Sequence, residues 1–382
     1  MKKILLVAAL LSVVLVAPAF AMHMEPYSGV KIGIYATNNF STEYVIQDRS
    51  DPNSENDELQ WDISNTLGFS ANIGNNFSGK YELGFKQNVG RTDGGVYSRL
   101  LYGTYKFNDT FKLTMGQTYF PNFFWPLGSE TKEGNTGTGY GASQDARTPM
   151  IRLDFGPAYV LAARVYETTP KSVSTADAHA NTTRTLPKLM VGFDQAFGHN
   201  TVGAGVGYQT VDLESAALHM DTEVVSWTAF LHGQYKPTDA LTLKSQVTYS
   251  QNIPQFGIYG HGSLTTTGPA EVSADAQLNG SEIEDSRTIE AFINAFYKID
   301  DTKAVFAGYG YSQSENDMIH NGDKNPKQEY YAGAQITVYE IKEYGVKMYV
   351  VPEVHMFDYM EDEAGNDEGS DLYVGARWKL SF

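Results

Sequence analysis

Near the end of the chain, Leu372, Val374, Ala376, Trp378, Leu380 and Phe382 alternate with Tyr373, Gly375, Arg377, Lys379 and Ser381. A repeat of two puts successive side chains on opposite faces of a strand, so this block predicts a strand with one apolar face. The same pattern follows the turn residues Pro237-Thr238-Asp239, where Leu241, Leu243, Val247 and Tyr249 interleave with Thr242, Lys244, Gln246 and Thr248. Nothing in the body of the chain repeats convincingly at the helical period. The alternating blocks are 27–37, 60–71, 77–89, 96–107, 110–120, 150–156, 158–168, 188–197, 200–212, 223–236, 240–251, 286–298, 302–313, 328–339, 345–358 and 371–382. That is sixteen predicted strands.

The connections between blocks alternate in length. Short ones are rich in turn residues: Gly74-Asn75-Asn76, Asn108-Asp109, Gly156-Pro157, Gly198-His199-Asn200, Pro237-Thr238-Asp239 and Asp300-Asp301. Long ones are expected at 38–59, 121–149, 169–187, 252–285, 314–327 and 359–370, with shorter partners on the same side at 90–95 and 213–222. An even strand number with short turns on one rim and long loops on the other is the signature of a transmembrane antiparallel β-barrel. The fold class expected is therefore all-β: a 16-stranded barrel with long external loops and short periplasmic turns. Lipid demands an apolar outer face and a fully hydrogen-bonded backbone, which the alternation and closure supply. Aromatics near block ends (Tyr81, Tyr105, Phe107, Tyr119, Phe120, Tyr235, Tyr249, Tyr297, Tyr309 and Tyr331) are expected in the two interfacial girdles.

The first residues fit an exported chain. Lys2 and Lys3 precede an apolar run from Ile4 to Val16, and Ala19-Phe20-Ala21 is a small-residue cleavage site. Residues 1–21 read as a signal peptide, leaving 22–382 as one barrel domain. With no cysteine, neither disulfides nor thiolate metal sites are available. The balance of 28 Lys and Arg against 45 Asp and Glu, net −17, argues against nucleic acid as a partner.

The eight histidines are scattered, and no H-E-x-x-H, G-x-S-x-G or phosphate-binding loop occurs, so no enzyme is expected. Polar parity within the strands selects Lys80, Lys86, Lys106, Lys112, Arg152, Arg164, Lys244 and Lys298 as lumen candidates. The acidic excess gathers in predicted external loops, including Asp48, Asp51, Glu55, Asp57 and Glu58, then Glu361, Asp362 and Glu363. Such carboxylates are suited to bind divalent cations weakly, as bridges to lipopolysaccharide, and to enrich cations at a pore mouth. No resident cofactor is expected.

The terminal strand ending in Phe382, the loop alternation and the segment 105–125 resemble the trimeric 16-stranded porins of Gram-negative outer membranes. Members of that family end in an aromatic residue read by the barrel-assembly machinery. The resemblance implies an outer-membrane homotrimer in a lipid and lipopolysaccharide environment. It also implies that 121–149, which follows the fifth strand, folds into the pore as a constriction loop. Glu130, Glu133 and Asp145 would then face a basic wall of Arg152 and Arg164, with Lys80 a further pore-lining candidate and Lys106 and Lys112, which flank a short turn, close to the periplasmic rim. The function implied is passive diffusion of small hydrophilic solutes and ions. The alternatives are a substrate-selective porin for sugars or small anions, and a structural or adhesive barrel.

Overall fold

The computed structural model describes all residues except 1–22, 28–29, 50–57, 89–94, 123, 129–140, 142–143, 146, 166–168, 177–179, 185, 260–274, 280, 317–323 and 361–368. The expected signal peptide lies outside the described residues. Sixteen long strands form the ring: β1 (Val30–Arg49), β2 (Glu58–Ile73), β3 (Phe77–Asn88), β4 (Gly95–Lys106), β5 (Phe111–Thr118), β6 (Thr148–Phe155), β7 (Ala158–Ala163), β8 (Lys188–Phe197), β9 (Asn200–Ser215), β10 (Met220–Tyr235), β11 (Leu241–Gln251), β12 (Arg287–Lys298), β13 (Lys303–Glu315), β14 (Lys324–Ile341), β15 (Val346–Asp358) and β16 (Gly369–Ser381). Each pairs antiparallel with its sequence neighbours. β1 also pairs with β16, from Thr37 opposite Ser381 to Arg49 opposite Gly369, so no edge is left in the ring. Phe382 completes the seam, exchanging both backbone hydrogen bonds with Ala36 at 2.8 and 3.1 Å. Closure satisfies the ladder on both sides of every strand, which an apolar solvent requires.

Two short strands extend the sheet: His23–Tyr27 pairs with the start of β1, and Asn181–Thr183 with the end of β9. Two of the short turns share a side-chain device. Asn108 Oδ1 accepts from Thr110 N and Oγ1 and from Phe111 N, and Asp300 Oδ1 accepts the same set from Thr302 and Lys303. Asn or Asp followed two residues later by Thr thus fixes the reversal locally.

The two faces of the sheet are inverted relative to a soluble protein. Outward residues such as Val191, Val206, Leu231, Val247, Ile293 and Val374 are apolar and exposed. Inward residues such as Glu82, Asp154, Gln209, Thr228, Gln246, Asn294 and His355 are polar and buried. The outer face suits hydrocarbon, and the chain is an outer-membrane β-barrel crossing the bilayer with all sixteen strands.

Three expectations need correction. The loop expected at 38–59 is largely strand: β1 runs to Arg49 and β2 begins at Glu58. The alternation continues past Asn38-Asn39 through Phe40, Tyr44 and Ile46 on the outer parity. The seventh strand ends at Ala163 rather than at 168. Finally, Phe120 and Tyr331 are not girdle residues: both are buried on the inner side, whereas Tyr105, Phe107, Tyr235, Tyr249 and Tyr297 are exposed.

Candidate functional site

After β5 the chain turns inward. Leu127 N donates to Asn294 Oδ1 at 2.8 Å, and Asn294 Nδ2 donates back to Leu127 O at 3.3 Å. Lys244 Nζ donates to Trp125 O at 2.9 Å, and Gln246 Nε2 reaches Asn122 O at 3.4 Å. The Phe124 ring stacks on His232 with centroids 4.3 Å apart, and Lys244 Nζ lies 4.3 Å from the centre of the same ring. These partners belong to β10, β11 and β12. In a ring of sixteen, β12 and β13 lie opposite β5, so the segment 119–128 crosses the lumen and docks on the far wall. Gly128, at φ +94, reaches β13, where a side chain would collide with the Phe306 ring.

A second loop also enters. After β11 a short helix, α2 (Ile253–Phe256), folds under the external rim, with Ile253, Gln255 and Phe256 buried. It lies on the inner face of β7 to β9, packed with Tyr159, Leu161, Met190, Phe230 and Phe120. The two loops meet again in a two-residue ladder, Ile258 opposite Asp145 and Tyr259 opposite Gln144. A third external segment packs Val173, from α1 (Lys171–Ala176), against Leu213, Met220, Val224 and Ala276.

The opposite wall is charged. Glu82 on β3 accepts from Tyr35 Oη at 2.8 Å and from Arg99 Nε at 2.7 Å, with Lys80 Nζ at 3.4 Å. Arg99 also donates to Tyr119 Oη at 3.2 Å, which ties this wall to the start of the crossing segment. On β6, Arg152 pairs with Asp154 at 2.8 Å and Asp194 at 3.7 Å, and its guanidinium lies 4.0 Å from the Tyr159 ring centre. Lys112 reaches Asp154 at 3.6 Å, and His232 Nε2 lies 3.0 Å from Asp194. The Lys80, Arg99, Lys112 and Arg152 side chains keep 32, 25, 45 and 22 % of their surface exposed, whereas Glu82 and Asp154 are buried.

The expected site residues therefore scatter. Lys80, Lys112 and Arg152 are on the inner wall with carboxylate partners. Lys106 sits opposite Lys112 at the turn end of β4, exposed at the short-turn rim. Arg164 falls just past β7 on the outward parity of Val160 and Ala162, exposed and apart from Arg152; its backbone N–H donates to Pro149 O at 3.0 Å. Glu130 and Glu133 lie outside the described residues, and Asp145 is described only by its backbone ladder with Ile258. Arg99, Glu82, Asp194, His232 and Lys188 were missed. Arg99 and Glu82 meet through a register shift between β3 and β4, which the alternation alone does not reveal. Among the described residues, no group of three or more His, Asp or Glu is placed to hold a metal ion.

An outer-membrane barrel of porin-like architecture is the class these features define. The profile of the autotransporter β-domain matches residues 162–254, about a quarter of the chain. No curated protein sequence matches. Among solved structures, the outer membrane channel DcaP of Acinetobacter baumannii aligns with a TM-score of 0.70 at 19% identity, covering 94% of this chain and 99% of that one. OmpF of Salmonella typhi, solved with daunomycin, gives 0.58 at 11% identity over 94% and 100% of the two chains. The anion-selective porin of Comamonas acidovorans gives 0.57 at 10% identity over 92% and 100%. At these identities the likeness is one of fold.

Proposed function

We propose that this barrel is a passive diffusion channel for small hydrophilic solutes and ions across the bacterial outer membrane. The carrying observation is the uneven filling of a polar lumen. Segment 119–128 and α2 occupy the half lined by β7 to β13, while inner side chains of β3 to β6 stay in contact with water. A pore needs a water-filled path with a defined neck, and the space between the crossing segment and the basic wall supplies both. Purified protein in a planar bilayer is expected to give discrete conductance steps. A folded, inserted barrel without them sinks the reading.

A specific observation favours selection of small anions. Among the described residues, the acids of the inner wall, Glu82, Asp154, Glu290, Glu329, Glu353 and Asp371, are buried, and Asp194 is the exception at 47 % exposed. The water-exposed inner charges on β3 to β6 are cations, so the path is basic inside a chain of net −17. Such a wall raises local anion concentration and imposes a field across the neck. The reversal potential under a salt gradient tests this, and cation preference overturns it.

A homotrimer is proposed on different ground. Asn38 and Asn65 face each other across β1 and β2 on the outer parity, beside a recess of about 320 Å³ that Met348, Trp378 and Leu380 also line. Eight residues from Ile73, they lie roughly 20 Å up a tilted strand, inside the apolar band. The Asn38 amide is exposed there and needs a hydrogen-bond partner. Lipid tails offer none, whereas a second copy does. Asn38→Leu with Asn65→Leu is expected to change the mass of the detergent-solubilised particle if this face is shared, and to leave it unaltered if it faces lipid.

A further inference from the structure

Lys188 opens β8 on the inward parity and is completely buried. Its Nζ donates to Phe256 O at 2.5 Å, the last carbonyl of α2, and lies 4.4 Å from the Phe256 ring centre and 5.0 Å from that of Phe120. The two rings meet edge to face at 6.2 Å. Phe120 starts the segment that crosses the lumen, and Phe256 ends the helix of the second loop. One ammonium therefore touches both in-folded loops. It satisfies a carbonyl that the helix end leaves without a partner and lies against two aromatic faces, the geometry in which a desolvated cation is held most strongly.

The neighbourhood is shaped for this arrangement. Gly207 on β9 leaves room for the Phe256 ring; a Cβ there would stand 2.6 Å from Phe256 Cζ and 2.9 Å from Met190 Cε. Gln209 Nε2 donates to Gln255 O at 2.6 Å, and Gln255 is hydrogen-bonded to Asp275. Gly257 closes the helix at φ +84, with its N–H on Ile253 O and Pro254 O. Downstream, the ladder of Gln144-Asp145 with Ile258-Tyr259 fastens the return limb of the first loop to the second.

We propose that Lys188 is a positioning residue for permeation: it latches the loop carrying α2 onto the crossing segment, so that two loops together fix the width of the pore. The inference rests on the diffusion-channel reading. It adds that the neck is held by a buried cation on β8, outside the basic wall of β3 to β6, and that the second loop is part of the constriction.

The Lys188→Met barrel keeps the length of the side chain and loses the donor. Its single-channel conductance is expected to rise by about twofold, with frequent sub-states, because a loosened constriction samples wider openings. In that background the Gln144→Cys, Tyr259→Cys pair, introduced into a chain with no native cysteine, is expected to bring the conductance back down on oxidation. Unchanged conductance in a folded Lys188→Met barrel overturns the latch. If that variant does not fold, Gly207→Val decides: it displaces Phe256 without touching the ammonium, and should give the same rise, while a parent-like conductance overturns the proposal. Should the parent barrel pass no current, the channel reading fails separately. The latch is then read by labelling Ile253→Cys with a water-soluble maleimide, with protection in the parent and reaction in Lys188→Met expected, and equal protection in both overturning it.

Discussion

Thr248 on β11 and Lys80 on β3 both occupy inward positions of the alternating pattern. Thr248 is 1 % exposed, whereas the Lys80 side chain is 32 % exposed. The same contrast separates the two walls. On β10 to β13, Thr228, Gln246, Ser250, Thr288, Asn294 and Ser312 are all buried, although they face the lumen of a channel-like barrel. On β3 to β6, the inner cations reach water. Strand pattern sets which face a residue occupies, but loop packing decides whether that face is wall or pore. Small uncharged polar groups predominate on the covered wall, where they bond to one another, as Ser250 to Thr228 and Thr288 to Ser314, or to the loop backbone, as Asn294 and Gln246 do. Long cations line the open wall, where their ends are hydrated and only their carboxylate partners are desolvated.

The largest effect should come from uncovering the first wall. Asn294 makes two hydrogen bonds to the backbone of Leu127, and Leu cannot replace either. At about 1 kcal/mol each, their loss shifts the docked segment toward release by roughly thirtyfold. Asn294→Leu is expected to raise single-channel conductance severalfold and to broaden its distribution. A unitary conductance equal to the parent would show that the segment is held by Phe124 and Lys244 instead, and would erase the distinction between the walls.

Next comes the charge of the open wall. Arg152→Gln with Lys112→Gln removes two exposed cations and leaves Asp154 and Asp194 behind. The anion-to-cation permeability ratio is expected to fall about threefold. Glu82→Gln sharpens the same point with the opposite sign, since it frees Arg99 and Lys80 from their carboxylate. It should raise anion preference slightly and destabilise the barrel by about 2 kcal/mol, a value reduced because both cations are partly solvated. Thermal loss of the folded band in detergent reads the stability, and reversal potential reads the selectivity. Ratios that move in the same direction in both variants would exclude the wall as the selectivity element.

Much of this was legible in the chain. Sixteen alternating blocks and the seam strand ending in Phe382 required only the period of two, and Lys188–Phe197 begins and ends where the alternation does. The turns were legible because Asn108 and Asp300 make their own hydrogen bonds. Arg164 was assigned inward because polarity stood in for parity; Ala163 is in fact the inward residue at the end of β7. Lys188 was overlooked for the opposite reason. A lysine at the start of a strand looks like a rim residue, and only α2, arriving from 65 residues downstream, buries it. Contacts between loops leave no periodic trace, so the covered wall was invisible while the strand carrying it was plain.

The smallest effect tests how far the walls are insulated from the rim. Asp300 and Asp301 sit in the turn between β12, which carries Asn294, and β13. The Thr302 hydroxyl and then the Thr302 and Lys303 backbone N–H groups hold the Asp300 carboxyl below its ordinary range; Lys298 does the same for Asp301. A carboxylate whose folded value is depressed contributes stability above its unfolded value and loses it as pH falls through the folded one. Asp300→Asn should therefore lower the melting temperature slightly at neutral pH, by about 1 °C or less, because the group is fully exposed. The difference from the parent should shrink as pH drops below the ordinary carboxylate range and vanish once it passes the depressed folded value. Conductance should be unaffected at either pH, since the turn touches neither the crossing segment nor the basic wall. A conductance change confined to acid would instead mean that β12 transmits strain from the rim to Asn294, and that the covered wall is held in place by the turn beneath it.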